Sequence, residues 1–95
     1  MRRYPHMAAS KKRWYAYILR CADGSLYSGV TTDLERRVRE HNGEGPRGAR
    51  YTRPRRPVSL AYSERFKTRS EAGKRESALK SLTRSSKLAL IRRKS

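Results

Sequence analysis

The sequence predicts a small α/β domain of the α+β type: a three-stranded antiparallel sheet flanked by helices, in the order β-β-α-β-α-α. Three observations predict it. Two aromatic and aliphatic runs, "WYAYILRC" and "SLYSGV", flank the turn "ADG" and are too short for helices. Two Thr-x-x-Glu boxes, Thr32/Glu35 and Thr68/Glu71, each open a helical pattern. Between them "VSLAYSERF" alternates apolar and polar residues with the period of a half-exposed strand.

Residues 1–12 are basic with no apolar run behind them, so they read as a disordered arm and not a secretory signal; the domain proper spans 13–93. Strand one is Trp14 to Cys21 and strand two Ser25 to Val30. Their loop is either Asp23-Gly24 or Ala22-Asp23-Gly24, the longer form placing Gly24 in the left-handed region. With the two-residue loop Tyr17 opposes Val30 and Tyr27 falls on the other face. With the three-residue loop Tyr17 opposes Gly29 and Tyr27 joins it. A site using both tyrosines requires the three-residue loop, with Gly24 at positive φ.

The first helix starts at Asp33 and stops near Asn42-Gly43. Leu34 and Val38 mark its apolar stripe, and Arg37 and His41 lie within about 60° of Leu34. Glu35, Arg36, Arg39 and Glu40 point away. Residues 43–57 form a Gly/Pro/Arg loop carrying Tyr51 and five arginines: Arg47, Arg50, Arg53, Arg55 and Arg56. Strand three, Val58 to Phe66, sets Val58, Leu60 and Tyr62 on one side. The second helix turns Ala72, Leu79 and Leu82 inward and ends near Thr83. Glu76 lies about 40° from Ala72 and 60° from Leu79, in the middle of that stripe. Ser85 or Ser86 caps a last short helix carrying Leu88 and Ile91, before the basic tail "RRKS".

A chain of 95 residues is one domain, and at this size it buries roughly 60–65% of its unfolded surface. Every polar group turned inward is therefore proportionally expensive. The net charge is +17, from 25 Lys+Arg against 8 Asp+Glu. Such an excess repels itself and calls for a polyanionic partner. The basic residues spread along the whole chain and no membrane-type amphipathic helix is visible, which favours nucleic acid over a membrane surface. Cys21 is the one cysteine, so there is no internal disulfide and no zinc cluster, as fits a reducing, cytoplasmic setting. No run approaches the roughly 20 apolar residues of a membrane span.

The anomalies form a set. Arg37, His41 and Glu76 point inward, and the hairpin carries Tyr15, Tyr17 and Tyr27. An uncompensated buried charge costs several kcal/mol, so these groups either pair or line a cleft. In the plainer alternative Arg37 and Glu76 form a structural ion pair with His41 hydrogen-bonded beside it, and the tyrosines pack with wet tips. In the functional alternative Arg37 grips a phosphate bidentately and stabilises charge developing on it. Glu76, a lone carboxylate, holds Mg²⁺ with water and phosphate oxygens completing the shell. Tyr or His takes a proton from the attacking water. That is a kit for phosphodiester hydrolysis with one metal; a two-metal site needs several converging acids, and Asp33, Glu35, Glu40 and Glu71 sit at helix starts or outer faces.

Taken in order, "YAY", "YSG" nine residues on, "TDLERRVREHN", "YTRPRRPVSLAYSE" and "SEAGKRESALKSLTRSSKLALI" make the chain, from about Arg13 to Arg92, resemble a GIY-YIG nuclease domain. The likeness is strongest to the small single-domain branch of that superfamily. Tyr17 matches the GIY tyrosine, Tyr27 the YIG tyrosine and Gly29 the YIG glycine. Arg37 matches the helix arginine, His41 the residue one turn later, and Glu76 the metal-binding glutamate. The resemblance implies a metal-dependent DNA endonuclease, with Mg²⁺ or Mn²⁺ as cofactor and inline attack of water on a phosphodiester. Tyr27 would assist deprotonation, Tyr17 and His41 would position water and phosphate, and Arg37 would stabilise the transition state. It implies a structure-selective enzyme of DNA repair or recombination.

There are departures from the family pattern. Tyr15 and Ala16 replace the GIY glycine and isoleucine, and Ser28 the YIG isoleucine. Val30 stands where some relatives carry lysine, and no asparagine follows Asn42. The +17 charge and the five loop arginines are expected to replace the separate DNA-binding domain of larger members. No recognition helix or zinc finger is visible, so base-specific reading is not expected. A monomer without small-molecule cofactor is expected. The alternative function is a non-catalytic nucleic-acid-binding module, for DNA or RNA, that retains the cleft.

Overall fold

The hairpin of β1 (Trp14–Arg20) and β2 (Leu26–Thr31) turns through Ala22-Asp23-Gly24. The Cys21 N–H bonds the Ser25 carbonyl at 2.9 Å and the Gly24 N–H bonds the Cys21 carbonyl at 2.9 Å. Gly24 sits at φ 86°, a conformation glycine adopts without a Cβ penalty. Tyr17 therefore opposes Gly29 and Leu19 opposes Tyr27, so the two tyrosines share a face. This is the loop that a shared site requires.

The computed structural model describes residues 13–94; the arm assigned to 1–12, and Ser95, lie outside the described residues. The elements follow as α1 (Leu34–His41), a 3₁₀ turn (Arg53–Arg55), β3 (Ser59–Phe66), α2 (Arg69–Ser81) and α3 (Arg84–Lys94). The strands are antiparallel in the order β2-β1-β3. The order β-β-α-β-α-α and the α+β class are those the sequence predicts. Among the described residues no helix is long and apolar enough to cross a membrane.

Central strand β1 feeds two cores through its alternation. Tyr17, Leu19 and Cys21 face α1, packed with Val58, Tyr27, Leu34 and Val38. Ala16 and Ile18 face the other way, packed with Tyr62 and with Leu79 and Ile91 from α2 and α3. Helices thus cover both sheet faces, leaving β2 as an edge strand between them.

Four local expectations are corrected. Val58, Leu60 and Tyr62 do not share a side, because β3 carries a bulge: Ile18 pairs with Tyr62 but Leu19 with Leu60. The extra residue, Ala61, reverses the alternation, so Tyr62 joins the α2 side while Leu60 stays 42% exposed on the other. The Thr32/Glu35 box does not form. Asp33 is the N-cap, its carboxylate accepting from the Arg36 N–H at 3.0 Å. An aspartate caps at least as well as a threonine, and the Thr31 hydroxyl secures it by accepting from the Asp33 N–H at 3.1 Å. The last helix is capped by Thr83, whose Oγ1 accepts from the Ser86 N–H at 3.2 Å, and not by Ser85 or Ser86. That helix runs to Lys94, so the basic end of the chain is helical through that residue. The Thr68/Glu71 box forms in full, both reciprocal bonds being present.

Asn42 ends α1 and clasps the far end of the following loop. Its Nδ2 donates to the Val58 carbonyl at 2.9 Å, and its Oδ1 accepts from the Val58 N–H at 2.7 Å. The loop of residues 43–57 is thereby held closed over the α1 face of the sheet.

Candidate active site

His41, on the last turn of α1, has no exposed surface. Its Nε2 lies 3.1 Å from the Tyr17 hydroxyl and its Nδ1 lies 2.8 Å from Thr52 Oγ1. The Thr52 hydroxyl donates its single hydrogen to the Ala49 carbonyl at 3.2 Å. It must therefore accept from His41, which puts the imidazole proton on Nδ1 and leaves Nε2 to accept from the Tyr17 O–H. Burial, then the Arg37 charge, lowers the His41 pKa from 6.5 to about 4. Burial raises the Tyr17 phenol to about 12. A neutral imidazole and an intact phenol are the forms this chain of bonds needs.

Gly29 makes room for it. A Cβ there would meet the Tyr17 hydroxyl oxygen at 2.5 Å and Cζ at 2.7 Å, so only glycine admits the phenol. Tyr27, two residues back on the same face, sets its ring 5.2 Å from the His41 ring, edge on. Its outer side is covered by Tyr51, stacked at 5.7 Å. Arg55 lies 4.0 Å over the Tyr51 ring and donates to the Tyr51 carbonyl at 2.7 Å, fixing the cover in place.

Arg37 is half-buried, its Nη1 bound to Glu40 Oε1 at 2.8 Å and to the Arg47 carbonyl at 2.7 Å. The structural pair Arg37–Glu76 is not formed. Residues three apart on a helix are neighbours, so Glu40, expected to point away, turns back and takes Arg37 along with Arg36 at 3.5 Å. Glu76 pairs instead with exposed Lys80, at 3.2 Å. Its negative charge still reaches Tyr17 and contributes to the rise of that phenol, after burial as the main cause. Tyr17, Tyr27, Arg37 and His41 are thus brought together between α1 and the hairpin, with Glu76 within electrostatic range from α2.

Among the described residues no group of three or more His, Cys, Asp or Glu could hold a metal. The donor set fits a single hard cation on Glu76, which is half-buried and, among the described residues, is paired with the exposed Lys80. It does not fit a zinc cluster or a two-metal centre.

The loop arginines divide. Arg50 and Arg53 are exposed, and Arg47, also exposed, lines a cleft of about 820 Å³ with Trp14, Val30, Thr31, Thr32, Arg36, Arg37 and Glu40. Arg55 holds Tyr51 and pairs with Asp23 at 3.3 Å. Arg56 turns inward, its Nε donating to the His41 carbonyl at 2.6 Å at the end of α1. Sequence reasoning gave no role to Thr52 or Tyr51. The signal for Thr52 was that a buried imidazole needs partners on both nitrogens, and the loop after His41 offers few hydroxyls.

A family model described as the GIY-YIG catalytic domain matches residues 13–89. UPF0213 protein DP2720 of Desulfotalea psychrophila is 53% identical over 79 residues, covering 83% of this chain and 71% of that protein. UPF0213 protein HQ_3675A of Haloquadratum walsbyi is 58% identical over 77 residues, covering 80% and 83%. The solution NMR structure of the protein EF2693 from E. faecalis superposes with a TM-score of 0.54 at 48% identity, covering 84% of each chain.

Proposed function

Because the chain belongs to the GIY-YIG catalytic-domain family, a family of nucleases acting on nucleic acid, we propose that it is a Mg²⁺- or Mn²⁺-dependent DNA endonuclease. It would act on structured DNA in repair or recombination, in the cytoplasm, as a monomer. The observation that carries this reading is the buried bond chain Tyr17–His41–Thr52. A small domain gains little stability from so many inward polar groups, whereas a reaction gains a phenol oxygen fixed in place.

Each residue then has a task. Tyr17 donates its proton to His41, and its oxygen, which also accepts from Arg37, keeps a lone pair for an incoming water. Tyr27 assists removal of the proton from that water. Arg37, anchored through Nη1 and hydrogen-bonded to Tyr17, offers its remaining N–H groups to the phosphate and stabilises charge developing there. Glu76 would hold a divalent ion, which would supply charge to polarise the phosphodiester and lower the pKa of a bound water. Arg47, Arg50 and Arg53 contact flanking phosphates, while Arg55 and Arg56 support binding by shaping the loop.

One observation favours the rival, a module that binds without cutting: Glu76 and Arg37 already have protein partners, Lys80 and Glu40. Labelled single-stranded, duplex and branched DNAs, incubated with the protein and Mg²⁺, Mn²⁺ or chelator, separate the two. The endonuclease cuts with metal and not with chelator. Glu76→Ala then binds DNA as well or better and loses several orders of magnitude in rate. Arg37→Ala loses rate with a smaller loss of affinity. A protein inert on every substrate with either metal would be the binding module.

A further inference from the structure

The cleft beside Arg37 includes Arg37 and Arg47 from this scheme, but its Trp14 and Arg36 have no task in it. Its volume of about 820 Å³ falls within the roughly 300–1,000 Å³ of small-molecule sites. Three guanidinium groups line it, from Arg36, Arg37 and Arg47. Among the described residues its one carboxylate, Glu40, is already engaged by Arg36 at 3.5 Å and Arg37 at 2.8 Å, which leaves the described walls cationic. Trp14, the first residue of β1, also lines it. Trp14 is only half-buried and belongs to neither apolar core of the sheet. The Arg69 guanidinium lies 5.5 Å over its ring, a contact that stiffens the indole from one side.

We propose that this cleft is a subsite for one unpaired nucleotide of single-stranded DNA, its base stacked on Trp14 and its phosphate held by Arg36 and Arg47. The proposal rests on DNA being the ligand, and it supplies a physical basis for structure selectivity. An indole next to guanidinium groups is the chemistry that takes a flat base and its phosphate together, whatever the base. A base within a duplex is stacked on both faces and cannot reach the indole without leaving the helix. Since Arg37 serves both the cleft and the Tyr17 site, the stacked nucleotide adjoins the phosphate to be cut. The subsite therefore selects DNA that is already unpaired at the cutting point.

Trp14 is the only tryptophan in the chain, so its emission reports the subsite directly. The full chain, in chelator so that nothing is cut, is titrated with oligo-dT, a blunt duplex and heparin. Oligo-dT is expected to quench the emission, and the duplex and heparin much less. Trp14→Ala should weaken oligo-dT binding about 5- to 150-fold and leave heparin affinity unchanged, while Trp14→Phe keeps most of the oligo-dT affinity. Equal quenching by heparin, or oligo-dT affinity unchanged in a folded Trp14→Ala protein, would overturn the subsite. If that variant does not fold, the wild-type quenching contrast and Trp14→Phe decide. A protein that quenches with oligo-dT yet never cuts would keep the subsite and remove the endonuclease.

Discussion

The single hydroxyl hydrogen of Thr52 goes to the Ala49 carbonyl, and the proton address of a buried histidine follows from that. Thr52→Val keeps the shape but leaves the His41 Nδ1–H unsatisfied, which should cost about 1–3 kcal/mol of stability, whereas Thr52→Ser should stay close to wild type. Denaturant melts of the pair check this, and the nitrogen chemical shifts of His41 should change in the valine protein and stay near wild type in the serine protein. The same histidine sets a pH dependence. Its pKa falls from 6.5 in an ordinary chain to about 4 in the fold, through burial and the Arg37 charge. Between those values the unfolded chain binds a proton that folded His41 does not. Stability is therefore full above pH 6.5 and falls as pH drops towards about 4. Glu40, held below its usual 4.5 by its hydrogen bond to Arg37, enters only at the acid end. A series of melts from pH 7 to 4.5 should show this slope in wild type and a shallower one in His41→Gln. Arg37 and His41 could be placed from helical spacing alone, because 100° per residue leaves little choice of face. Thr52 could not, because its partner is reached through a loop that periodicity does not describe.

At the scale of elements, α1 begins where Asp33 caps it. Asp33→Ala should cost about 0.5–2 kcal/mol while Thr32→Ala changes little, and paired thermal melts distinguish the two caps; the reverse order would restore the Thr32/Glu35 box. Both residues are acceptable caps by composition, and only the Thr31 hydroxyl, bonded to the Asp33 N–H, tips the choice. The capping box of α2 had no such competitor and forms as written. The hairpin was legible for a related reason: two tyrosines on one face admit just one loop length. The β3 bulge was not, since Val58, Leu60 and Tyr62 alternate without a break and nothing local marks Ala61 as the extra residue.

At the scale of the whole molecule, the chain carries 25 basic side chains, and the proposed DNA path runs over a few loop positions. On duplex DNA each phosphate contact adds about 0.9 to the slope of log affinity against log salt. Alanine at Arg47, Arg50 and Arg53 together should flatten that slope by about 2–3 with little loss of stability. Alanine at Arg55 and Arg56 should lower the melting temperature, because their guanidinium groups hold Tyr51 and the end of α1. Salt titrations beside melts check both halves; an unchanged slope in the triple variant would move the DNA path elsewhere. The clasp between Asn42 and Val58 has a wider consequence. It closes the intervening chain into a ring, and on that ring hang the exposed arginines, the Tyr51 cover and Thr52. The proposed grip on DNA and the placing of the His41 proton therefore hang on one closed stretch of chain. An exchange of this ring between relatives would carry both properties together, so evolution could retune what the domain holds only by also testing how its histidine is wired.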